Sequence, residues 1–222
     1  MGVGLFVIGT DTEVGKTLVS CALLHRLRER HAAVVGMKPI SAGASGDDSD
    51  DVNQLRAAGS LRVSPELDNP YALPEPLSPH IAARRAGVGI DIELIVARYR
   101  RLAALADAVV VEGAGGFCVP LSDTHSGADL AQALGLPVVL VVGLRLGCLN
   151  HALLTHEAIR ARGLVLAGWV ANRIDPAMQA QDDNVATLRA RLAAPLLADI
   201  PRLAAAQPTQ VRIRLPDEDA FA

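Results

Sequence analysis

The segment Thr10-Asp11-Thr12-Glu13-Val14-Gly15-Lys16-Thr17 constrains this chain more than any other. It follows the apolar run 4–8 (GLFVI) directly and leads into TLVSCALLHRLRER, whose apolar residues recur at helical spacing. Buried strand, glycine turn, helix is the context in which G-x-x-x-x-G-K-[ST] folds as a phosphate-binding loop. Thr10 stands where that pattern has its first Gly, and Gly9 precedes it. Gly15 lets the backbone turn its N–H groups inward, and the start of the helix adds its positive end. Lys16 supplies charge for β- and γ-phosphates, and the Thr17 hydroxyl is a hard oxygen suited to Mg²⁺. Glu13, Val14, Gly15, Lys16, Thr17 and Leu18 are therefore the expected nucleotide contacts.

The rest of the chain alternates strand and helix. Strands are expected over 33–37, 108–116, 137–142, 165–172 and 195–201, and helices over 52–58, 90–106, 150–163 and 179–193. Pro39 stops the second strand, 41–50 reads as a polar loop, and the five prolines within 64–80 read as an irregular excursion. This order predicts an α/β fold over 1–222 as one domain: a mostly parallel sheet with helices on both faces, of the P-loop NTPase kind.

Charge usage narrows the chemistry. Of 21 basic residues only Lys16 and Lys38 are lysines. Where general surface charge is given to Arg, a remaining lysine is a candidate for a pocket that a planar fork does not fit. Lys38 ends the second strand, which puts it at the carboxyl edge of the sheet, where ligands bind. Glu112 ends the AVVV strand at the same edge, followed by Gly113, Ala114, Gly115 and Gly116, which permit close approach to a ligand. Asp47, Asp48, Asp50 and Asp51 crowd one short stretch; Asp51 is the better placed metal ligand because it opens the helix, with Asp50 the alternative. Thr17, Asp51 and Glu112 are thus the expected Mg²⁺ set.

The net charge of −3 and the lack of a basic block argue against nucleic-acid binding. The apolar run 136–144 is shorter than the roughly 20 residues a membrane span needs. No leader pattern opens the sequence, and three scattered cysteines suit reduced thiols, so a cytoplasmic protein is expected.

GTDTEVGKT, MKPISAG, NPYALPEPLSPHIAA, EGAGG, RLGCLNHALLT and AGWVAN, in this order, resemble the dethiobiotin synthetase family over most of the chain. The resemblance implies an ATP-dependent, Mg²⁺-dependent ligase of biotin biosynthesis. Such an enzyme joins CO₂ to 7,8-diaminopelargonate, phosphorylates the carbamate and closes the ureido ring. It implies Lys16 and Lys38 as catalytic groups, Thr12, Lys38 and Ser41 at the substrate, and Asn172 with Arg173 near the nucleotide base. It also implies a homodimer in which Leu146–Asn150 reaches the neighbour's substrate. The family often carries Ser or Thr where this chain has Ala42, so either Ser41 takes that contact or the contact is lost. A second reading shares the sheet and loop: an ATPase switch of the partitioning or septum-site type. That class carries an early loop lysine where this chain has Thr10 and Asp11, and its membrane-binding members end in a basic helix where this chain ends LPDEDAFA.

Overall fold

The computed structural model describes residues 2–43, 49–203 and 207–217. Six strands form one parallel sheet: β1 (Val3–Gly9), β2 (Val34–Met37), β5 (Ala108–Gly116), β6 (Val138–Gly143), β7 (Leu166–Asn172) and β8 (Leu196–Ile200). Their order is β2-β5-β1-β6-β7-β8. Because every neighbour is parallel, all six carboxyl ends lie along one edge, and β2, β5 and β1 deliver Lys38, Glu112 and the phosphate loop to it side by side.

Alternation along the strands separates two cores. Leu5, Val7, Val110, Val139 and Val141 face one side, covered by α1 (Lys16–Leu27) and α2 (Asp50–Ala58). Phe6, Ile8, Val111, Leu140 and Val142 face the other, covered by α5 (Ile92–Leu105), α6 (Gly127–Leu134), α7 (Cys148–Ala161) and α8 (Gln181–Arg191). Both faces are buried, which is why these strands read as unbroken apolar runs.

Two expectations are corrected. The 41–50 loop begins as a strand, β3 (Ile40–Ala42), paired in parallel with β4 (Tyr71–Leu73) in a small separate sheet. The proline-rich excursion holds two helices, α3 (Pro65–Asp68) and α4 (Pro79–Arg85). Pro65 and Pro79 each follow a serine and stand in the first turn, where a missing N–H costs nothing and the fixed φ is already helical. They start helices rather than break them. The helix α6 was not foreseen; its signal was Ser126 with Asp129 three residues on, whose carboxylate accepts the Ser126 N–H at 2.7 Å.

Candidate active site

At the carboxyl edge of β1 the chain turns through Glu13 at φ +58° and Gly15 at φ +91° into α1. A Cβ on Gly15 would stand 2.3 Å from Asn172 Nδ2, so both conformation and space require glycine there. Asn172, at the end of β7, donates to the Val14 carbonyl at 2.9 Å and ties the loop to the sheet. Val14 itself is buried in the core, so it can meet a ligand only through its backbone. Leu18 is half-buried against the same core.

Lys16 is 7% exposed and donates to the Asp11 carbonyl at 3.0 Å. Burial, with help from the nearby Lys38 charge, pulls its pKa down to about 8. Lys38 is as deeply buried, yet its pKa is raised. Desolvation opposes the charge there, but Glu112 Oε1 at 2.5 Å and Asp51 Oδ2 at 3.1 Å outweigh it. One lysine is held charged by two carboxylates, and the other is poised to gain from any anion that enters.

Thr17 Oγ1 lies 2.9 Å from both Asp51 Oδ1 and Glu112 Oε1. A hydroxyl carries one proton and cannot donate fully to both. Glu112 is fully buried, and among the described residues its Oε2 has no hydrogen-bond partner. Three hard oxygens around one point, with an unsatisfied carboxylate oxygen beside them, suit a hard divalent cation that brings its own waters and phosphate oxygens. Among the described residues no group of three or more His, Cys, Asp or Glu is placed to cage a metal by itself. Asp51 faces this point; Asp50 is exposed and accepts instead from Gln54 Nε2 at 2.9 Å. Asp47 and Asp48 lie outside the described residues.

These groups line a cleft of about 840 Å³ with Thr12, Glu13, Ala114 and Gly115. A second groove of about 440 Å³, floored by Phe117, His151 and Leu154, meets it at Thr12, Gly115 and Val119. Gly113 is buried against Phe6 and contributes backbone only.

Two expected contacts are placed elsewhere. Ser41 is 2% exposed and donates to Asn69 Oδ1 at 3.2 Å; as alternation along β3 requires, Ile40 and Ala42 face the cleft and Ser41 turns away. The Arg173 guanidinium is engaged by Asp199 at 2.8 Å and Asp182 at 2.6 Å, pinning the end of β7 to β8 and α8. Sequence reading also missed Arg145, which pairs with Asp11 across the loop. It missed the support behind Lys38, whose N–H and carbonyl bond Asp68 O and Asn69 Nδ2 at 2.8 and 2.6 Å.

Residues 3–210 match the AAA domain family. Among solved structures, the septum site-determining protein MinD of Pyrococcus horikoshii, complexed with Mg-ADP, superposes with a TM-score of 0.59 at 16% identity, over 90% of this chain and 82% of that one. The signal recognition particle 54 kDa protein of Aeropyrum pernix, complexed with GDP, gives 0.55 at 14%, over 99% of this chain and 44% of that one. Such likenesses show the fold alone, and the septum-site reading gains nothing further from them. The ATP-dependent dethiobiotin synthetase BioD of Aromatoleum aromaticum is 57% identical, across 95% of this chain and 96% of its own length. That of Nitrosospira multiformis is 56% identical, across 90% and 89%. With identity of that order over nearly the whole of both chains, the chain belongs to the ATP-dependent dethiobiotin synthetase family.

Proposed function

We propose that this protein uses ATP to close the ureido ring of dethiobiotin from 7,8-diaminopelargonate and CO₂. The observation that carries the reading is the placement of Lys38: a buried ammonium, held charged, in the same cleft as the phosphate loop. One amine of the substrate and CO₂ form a carbamate and release a proton. A carbamate oxygen attacks the γ-phosphorus, the bond to the β-phosphate oxygen breaks, and ADP leaves. The second amine attacks the carbonyl carbon of the carbamoyl phosphate, loses a proton, and expels phosphate as the ring closes.

Lys16 and Lys38 stabilise the charge that spreads over the transferring phosphoryl group and the carbamate oxygens. Thr17, Asp51 and Glu112 would hold Mg²⁺, which supplies further neutralisation of the phosphate oxygens when bound. Thr12 lies at the junction of cleft and groove, where the reacting carbamate must sit if the alkyl carboxylate chain of the substrate runs over Phe117 and Leu154. Asn172 spends one N–H on Val14, which leaves an N–H and a carbonyl for an adenine edge. The homodimer is supported by two exposed leucines, Leu146 at 93% and Leu154, which lines the second groove, at 56%. Among the described residues no helix is long and apolar enough to cross a membrane.

The test is incubation with Mg-ATP, bicarbonate and 7,8-diaminopelargonate, following dethiobiotin by mass spectrometry beside ADP, with Lys38→Ala as control. Dethiobiotin formed in step with ADP, and lost in the control, is expected. ADP without dethiobiotin would overturn the substrate assignment.

A further inference from the structure

Lys38 and Asp51 stand on different elements, and their separation is set by contacts outside the cleft. Lys38 follows β2, the outermost strand on its side, and Pro39 ends that strand. Asp51 lies in the first turn of α2, and its side chain is 45% exposed, so packing does not hold it. Asp68, which ends α3, is 3% exposed and accepts two bonds from Arg56 of α2, from Nε at 2.8 Å and Nη2 at 2.7 Å. The backbone carbonyl of the same Asp68 accepts the Lys38 N–H, and the adjacent Asn69 holds the Lys38 carbonyl. The contacts close a ring. It runs from the Lys38 ammonium to Asp51, along α2 to Arg56, across to Asp68, and back to the Lys38 backbone.

We infer that the Arg56–Asp68 pair is a positioning clamp: it fixes Asp51 relative to Glu112 and Thr17, and thereby sets how strongly nucleotide binding is reinforced by Mg²⁺. This rests on the reading of those three oxygens as cation ligands. Mg²⁺ demands near-ideal octahedral geometry at about 2.1 Å, so a small rotation of α2 would cost a ligand. A forked guanidinium on a carboxylate fixes direction as well as distance, which a lysine does not. Buried ion pairs add little net stability over apolar replacements, so orientation is the property this one is suited to supply.

The experiment measures ADP affinity by calorimetry with and without Mg²⁺, for the native protein and for Arg56→Lys and Asp68→Asn. The readout is the ratio of the two affinities. In both variants the Mg²⁺ enhancement is expected to fall by about tenfold, as when the outer partners of metal ligands are removed, with Mg²⁺-free affinity unchanged. If either single variant does not fold, Arg56→Met combined with Asp68→Leu replaces the pair by apolar groups and is expected to lose the same enhancement. Folded variants with an unchanged ratio, or with equal losses in both conditions, overturn the clamp. A native protein whose ADP affinity ignores Mg²⁺ overturns the cation reading beneath it.

Discussion

Replacing Glu112 by Gln removes the nearer of the two charges that hold Lys38 protonated, at almost constant volume. Lys38 is 5% exposed, and Asp51, the remaining partner, sits at 3.1 Å with much of its side chain in water. A buried charge robbed of its partner costs about 3–5 kcal/mol. Lysine has a way to limit that cost, because it can give up its proton. Neutralising a lysine of ordinary pKa 10.5 costs about 3.4 kcal/mol at pH 8 and about 1.4 kcal/mol at pH 9.5. The penalty of Glu112→Gln is therefore expected to be about 3 kcal/mol at pH 8 and to shrink by roughly 1.4 kcal/mol per pH unit above that.

The sign follows from linkage. In the native protein the Lys38 pKa is raised, so its contribution is fully present below pH 10.5 and flat across this window. In the variant the pKa is depressed, and stability recovers as pH rises. Urea unfolding is followed by the emission of Trp169, the single tryptophan, which is fully buried. For a chain of this size the penalty corresponds to roughly 6–12 °C in Tm at pH 8. A penalty that stays constant from pH 7.5 to 9.5 would show that Asp51 alone keeps Lys38 charged, and would refute the account of Glu112 as its main counter-charge.

Lys16, with its pKa near 8 in the free protein, is about half protonated at pH 8, and phosphate oxygens favour its charged form. ADP binding should then take up about half a proton at pH 8, more at pH 9 and almost none at pH 6.5, read as the dependence of calorimetric heat on buffer ionisation enthalpy. Lys16→Arg should abolish this uptake. Cys118 is exposed, whereas Cys21 and Cys148 are buried, and burial pushes the Cys21 thiol up to about 12 and raises that of Cys148. Intact-mass measurement after iodoacetamide should show one adduct, and 7,8-diaminopelargonate should slow its formation, because Cys118 lines the second groove.

The elements legible in the sequence are those whose chemistry is local. Residues 10–17 announce a loop because glycine, lysine and threonine are each needed there for a separate reason, and β5 and β6 announce themselves because both faces are buried. The strands β3 and β4 were illegible for the opposite reason. Three residues each, they owe their form to pairing between Ile40 and Tyr71, over thirty positions apart. The prolines of α3 and α4 carry the same letters as a breaker and differ only in position within the turn. At the site, Lys38 and Glu112 could be placed from strand ends alone. Ser41 could not, because a single-residue alternation in an unrecognised strand decides which way it faces. The part played by Asp68 in holding Lys38 runs partly through its backbone carbonyl, which no side-chain pattern records.

Confining both lysines to the cleft has an experimental consequence. No lysine ammonium stands on the surface, where solubility is left to arginine and carboxylates. Reagents that acylate amines would therefore report on the nucleotide cleft itself, apart from the chain's α-amino group. A protease that cuts after lysine would find Lys16–Thr17 closed in the folded protein, and Pro39 shields the bond after Lys38, so cutting at that single site becomes a clock for global unfolding. Covalent probes carrying an amine-seeking group on an ATP-like scaffold could be judged by whole-protein mass alone, since no other lysine competes for them.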